Sequence, residues 1–124
     1  MVGLTNMKTI ACIAHDGKKP EMVRLVHKYA HILKDFNLIA TGTTGTHIEQ
    51  IGNLNVTKLK SGPLGGDAQI AALVVEGKID LVIFLVDPLD VHPHQVDVSM
   101  LLRICNVHDV PLATNIATAE RLLT

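Results

Sequence analysis

The chain has 124 residues, enough for one domain with a real core, and a formal net charge of −1. That charge, with two Phe, one Tyr and no Trp, argues against nucleic acid as a partner, because both electrostatic attraction and stacking platforms are missing. Apolar residues make up 48%, and counting the nine glycines while leaving out the Tyr raises this to about 55%, above the roughly 45–50% of soluble domains, so extra apolar surface is expected at subunit contacts.

Residues 9–14, Thr-Ile-Ala-Cys-Ile-Ala, read as a buried strand, with His15-Asp16-Gly17 as the turn that ends it. Met22, Val26, Tyr29, Leu33 and Phe36 then recur every three or four residues, with Pro20 in the first turn and Asn37 as a stop, which predicts one helix. A second strand over 38–41 runs into Gly42-Thr43-Thr44-Gly45, a short helix over 46–51 ends at Gly52, and residues 56–60 form a third strand.

Ser61-Gly62-Pro63-Leu64-Gly65-Gly66-Asp67 follows. Glycines let backbone N–H groups approach a bound anion, and Asp67 opens a helical pattern over 67–76, where the helix N-terminus adds partial positive charge. Taken alone, the stretch reads more readily as a left-handed turn with Asp67 an ordinary first-turn acid. Ile70, Leu73 and Val74 mark that helix, residues 81–86 are a continuous β-type run suited to a central strand, and Asp87-Pro88 ends it. A loop carries His92 and His94; Val96, Met100, Leu101, Ile104 and Val107 predict a fourth helix; a last strand over 110–113 precedes a short C-terminal helix.

This alternation predicts an α/β protein: a single three-layer α/β/α domain over residues 1–124 with a mostly parallel five-stranded sheet. Cys12 and Cys105 lie in apolar runs without CxxC spacing or a suitable His cluster, so they read as reduced core residues, and no metal or cofactor is expected. Residues 1–8 carry no signal-peptide apolar region and residues 81–86 are too few to span a bilayer, which points to a cytoplasmic protein with no membrane partner.

His15-Asp16, Thr41 to Thr44, Ser61-Gly62, Asp87 and Thr114-Asn115 each follow a predicted strand, so all would gather at one sheet edge, where open α/β sheets bind ligands. Such residues also serve as helix caps. Hydroxyls and clustered N–H groups at Thr41, Gly42, Thr43, Thr44, Ser61 and Gly62, with Lys19 nearby, suit one phosphate. Neither GxxxxGK[ST] nor GxGxxG is present, which argues against a Walker loop and a dinucleotide fold.

Taken together, His15-Asp16 with Lys19, the Thr41 to Gly45 run, Ser61 to Asp67, and Asp87-Pro88-Leu89 followed by Pro93-His94 resemble the methylglyoxal synthase family over nearly the whole chain. The resemblance implies a homohexamer without metal that converts dihydroxyacetone phosphate to methylglyoxal and inorganic phosphate, a glycolytic bypass in which phosphate is also a possible inhibitor. It further implies Asp67 as the base, and His94 is assigned to the substrate oxygen as hydrogen-bond donor to the developing enediolate charge. This chain ends at Thr124, short of the C-terminal extension of longer relatives, so the resemblance does not reach the phosphate-linked communication between subunits that the extension serves.

A helix N-terminus should lower the pKa of Asp67, whereas a base works best nearer the operating pH; Asp16, Asp87 and Asp97 are the like charges that could counter this. His15 is a second candidate for ligand contact, while His27, His31, His47 and His108 read as helix-face or surface residues and Arg103 as an ion-pair or subunit residue. The alternative is a regulatory module of the same fold that keeps the phosphate cup without the base.

Overall fold

The structure is a computed structural model that describes residues 7–89 and 98–124. Five strands, β1 (Thr9–Ala14), β2 (Asn37–Thr41), β3 (Asn55–Leu59), β4 (Leu81–Leu85) and β5 (Leu112–Ala113), form one all-parallel sheet in the order β3-β2-β1-β4-β5. Successive residues of the central strand β1 alternate between two cores. Ile10, Cys12 and Ala14 pack with Leu38, Ala40, Ile83 and Leu85 on one face, while Ala11 and Ile13 pack with Val82 and Phe84 on the other. That double burial is why β1 and β4 read as unbroken apolar runs.

The first face is covered by α1 (Lys19–Lys28), α2 (Ala30–Leu33), α3 (Gly42–Glu49) and α6 (Ile116–Leu123), through Met22, Leu25, Val26, Leu33, Ile48, Ala119 and Leu123. The second is covered by α4 (Gly66–Val75) and α5 (Val98–Val107), through Ile70, Ala71, Val74, Leu101 and Cys105. These layers are the α/β/α arrangement that the alternation of elements implies. Each fully buried Ile or Leu stabilises the fold by about 1.5–3 kcal/mol, so the sheet edge above them rests on a stiff base.

Three sequence-based expectations change. The single helix from Met22 to Phe36 is two helices that meet at Tyr29 (φ −105°, ψ 17°), and Asn37 starts β2 instead of closing a helix. No Pro or Gly marks the break. Tyr29 buries its ring while its hydroxyl donates to Glu120 Oε2 on α6 at 3.4 Å, beside a 2.6 Å Lys28–Glu120 ion pair. This tertiary tie coincides with the departure from the 3.6-residue period. Second, α3 begins at Gly42 and not at residue 46, so the threonine run is the helix's first turn. Third, β5 holds only Leu112–Ala113, two residues shorter than expected. Val96 lies outside the described residues, and α5 is described from Val98.

Candidate active site

In this strand order the chain runs outward from β1 through β2 to β3, then returns to the other side of β1 for β4 and β5. Beyond the carboxyl ends of β1 and β4 the layers diverge, which is where ligands of open parallel sheets sit. All strands point the same way, so residues 15, 41, 61 and 87 emerge along one edge, spread over about 15 Å at the usual strand spacing.

The β2 and β3 exits touch. Gly42 has φ +41°, and a Cβ there would lie 2.7 Å from the Ser61 Cβ, so a side chain at 42 would push the two loops apart. Gly66 is buried, and a Cβ on it would run into the Lys60 carbonyl oxygen and lie 2.8 Å from Thr41 Cγ2. The start of α4, and with it Asp67 in its first turn, is therefore seated directly on the β2 and β3 exits. Gly66 N–H donates to the Ser61 carbonyl at 2.9 Å and closes the loop between them, with Gly65 left-handed at φ 101°.

Thr41 is the extended residue preceding α3, so the first N–H groups of α3, from Gly42, Thr43 and Thr44, face the strand-end edge without carbonyl partners of their own helix. Thr43 is exposed, Thr41 is buried, and Thr44 is wholly buried with no hydrogen-bond partner for Oγ1 among the described residues. Ser61 and Gly62 are half-buried opposite them. The start of α3 and the Ser61-Gly62 exit thus meet at one edge, with the start of α4 seated beside them, and the first N–H groups of α3 make that edge suited to an anion.

At the other half of the edge, His15 is 5% exposed and clamped. Its backbone N–H donates to the Leu85 carbonyl at 3.1 Å, its ring meets Phe84 edge-on with centroids 5.2 Å apart, and its Nδ1 accepts from the Asp87 N–H at 2.9 Å. A ring nitrogen that accepts carries no proton, so the neutral imidazole holds its proton on Nε2. That Nε2 is buried and has no partner among the described residues. There, His15 Nε2 and Thr44 Oγ1 are the two buried side-chain polar atoms left unsatisfied among the described residues, and both belong to this edge.

Lys19 opens α1, its Nζ 2.8 Å from Asp16 Oδ1; the lysine side chain is 24% exposed and the aspartate 86%. Both line an open cleft of about 620 Å³ with Pro20, Val23 and His47. Asp87 uses Oδ1 to accept from Leu89 N–H at 3.1 Å, the bonding of a turn former. His94 and Asp97 lie outside the described residues. Asn115 caps α6, its Oδ1 accepting from Thr118 N–H at 2.9 Å.

Two residues had no part in the sequence reading of the site. His47 shares the Lys19 cleft, four residues and one helical turn beyond Thr43. Gln69 accepts the Lys60 N–H at 2.9 Å through Oε1, tying α4 to the end of β3. Among the described residues there is no group of three or more His, Cys, Asp or Glu placed to hold a metal ion, and no helix is long and apolar enough to cross a membrane.

The model of the MGS-like domain family matches residues 21–114. A methylglyoxal synthase of Thermus thermophilus is 53% identical over 117 residues, 94% of this chain and 93% of that protein. One from Thermoanaerobacter pseudethanolicus is 57% identical over 114 residues, 92% of this chain and 86% of that protein. A crystal structure of methylglyoxal synthase from Elizabethkingia anophelis superimposes with a TM-score of 0.90 at 47% identity, covering 95% of this chain and 78% of that one.

Proposed function

The chain belongs to the methylglyoxal synthase family and has its lyase activity, and on that premise we propose how the sheet edge carries the reaction. The substrate is dihydroxyacetone phosphate. Its phosphate sits in the cup of Thr41, Gly42, Thr43, Thr44, Ser61 and Gly62, with Lys19 turning from Asp16 to the phosphate. The observation that carries the reading is the pair of buried atoms without partners among the described residues: Thr44 Oγ1 at the cup and His15 Nε2 beyond it, each a polar group whose desolvation a ligand would offset.

Asp67 takes a proton from the carbon bearing the free hydroxyl, leaving an enediolate. His15 Nε2–H donates to a substrate oxygen; His94 has the same part by family resemblance. The C–O bond to phosphate then breaks, its electron pair leaving with the phosphate oxygen, and the released enol ketonises to methylglyoxal. Elimination is fastest when that C–O bond stands perpendicular to the enediolate plane, so a cup that fixes the phosphate selects elimination over isomerisation. Lys19 and the helix starts meet the charge that builds on the departing phosphate. Asp16 and Asp97 are assigned supporting parts around Asp67.

Purified protein assayed with dihydroxyacetone phosphate and a chelator should release phosphate and dicarbonyl product in equal amounts. Phosphate binding without turnover would instead favour the non-catalytic regulatory module, for which no present observation speaks. Inorganic phosphate, as product, should inhibit competitively. We assign the enzyme to the cytoplasm, as a bypass of glycolysis, and to a homo-oligomer, a hexamer by family resemblance. Exposed Leu64, Val75, Leu89, Leu102 and Val107 support subunit contacts. Light scattering that finds an active monomer would overturn the assembly.

A further inference from the structure

The geometry points to Asp87 as a positioning residue that acts through His15, and not as a base or a source of negative charge for Asp67. This rests on the reading of His15 as a substrate donor. A donor at this place must keep its proton on Nε2, and imidazole has no intrinsic means of doing so, since either nitrogen can hold it. Here the decision is made by a single peptide group, the N–H of Asp87, which donates to Nδ1 at 2.9 Å.

That peptide follows the end of β4, where the sheet no longer holds the backbone: Val86 N–H still bonds the Thr114 carbonyl at 3.2 Å, and Asp87 is the next residue. What fixes it is the Asp87 side chain. Oδ1 accepts from Leu89 N–H at 3.1 Å and folds the chain back on itself, while Oδ2 lies 2.5 Å from where a Cβ of Gly17 would be. The carboxylate therefore occupies the space that glycine leaves in the turn directly after His15. Backbone and side chain of one residue grip the two ends of the same short span, and the imidazole lies between β1 and that span.

Removing the acceptor should release the turn, let the Asp87 N–H leave Nδ1, and free His15 to exchange tautomers. Asp87→Ala is expected to lower kcat about tenfold, the lower end for loss of a group that orients a reacting side chain, with little change in KM. Asp87→Asn keeps an acceptor oxygen in the same place without the charge, and should recover most of that loss. Imidazole ¹⁵N chemical shifts should show His15 as the Nε2–H tautomer in wild type and Asp87→Asn, and as a mixture in Asp87→Ala.

If Asp87→Asn is as impaired as Asp87→Ala while His15 keeps its tautomer, charge and not position is what matters, and the proposal falls. A wild-type His15 protonated on Nδ1 overturns it without any variant, which covers the case of an Asp87→Ala chain that does not fold. Absence of turnover in wild type would strike the function, whereas the ¹⁵N measurement still decides the clamp.

Discussion

The two halves of the sheet's carboxyl edge are built from opposite materials. At the β2 and β3 exits the structure removes side chains: Gly42 and Gly66 let the two exits and the start of α4 close on one another, leaving the N–H groups at the start of α3 as available donors. At the β1 and β4 exits it keeps one large side chain and immobilises it, with His15 held by Leu85, Phe84 and Asp87. An anion is gripped best by many modest donors at close range, for which any Cβ is an obstacle. A developing charge on one oxygen needs a single donor of defined protonation, which backbone cannot aim as freely. In the proposed mechanism handle and chemistry are thus separated along one edge, and Asp67 rises from the handle half.

Asp67→Asn should separate the two most sharply. It is expected to fold, bind inorganic phosphate as wild type does, and lose at least about a hundredfold in kcat, the lower end for loss of a general base. Steady-state kinetics with phosphate titration checks this. Near-normal turnover would remove Asp67 from proton transfer, and lost phosphate binding would mean that the halves are not separate.

Within the handle half, Lys19→Ala removes a charge that meets the leaving group, so KM should rise and kcat fall, together lowering kcat/KM by about ten- to a hundredfold for a charged hydrogen bond. Thr44→Val removes a neutral donor and should cost only about two- to tenfold, with phosphate inhibition weakened in parallel. Equal effects from both would indicate that the phosphate charge is met elsewhere.

The smallest effect lies beneath both halves. Cys12 is fully buried in β1, and desolvation pushes its thiol up to about 12 from the ordinary 9.0. The unfolded chain loses this proton before the folded one does, so the contribution to stability is fully present below about pH 9 and is lost as pH rises toward 12. A Cys12→Ala chain compared by denaturation across that window should show a shallower alkaline decline. Thiol reagents near neutral pH should leave Cys12 of the native protein unmodified.

Strands β1 and β4 were legible because parallel strands buried on both faces must be apolar at every position, and the polar exits were legible because they directly follow those runs. The start of α3 was not, since Gly42 and Gly45 read as loop residues; their use is close approach to Ser61 and Lys58, contacts that local patterning does not contain. The break at Tyr29 coincides with a tie to Glu120, 91 positions away, and the tautomer of His15 is set by Asp87, 72 positions away. His15 could be named from sequence as a candidate for ligand contact, but its protonation could not. Gln69 escaped for a simpler reason, since an exposed helix glutamine looks the same whether or not it holds a neighbouring strand.

Strand β3 is the outermost strand on its side of the sheet and the least buried of the longer ones, with Asn55, Thr57 and Lys58 exposed, Val56 and Leu59 only half-buried, and Lys58 paired with Glu49 across its surface. The loop proposed to hold phosphate hangs from it. Transient opening of the molecule should therefore begin beside the proposed phosphate cup, and amide hydrogens of 55–59 should exchange with solvent well before those of β1. Phosphate, by bridging the β3 exit to the start of α3, would close that seam, so occupancy would be read as slower exchange at the rim while the central strands stay as they were.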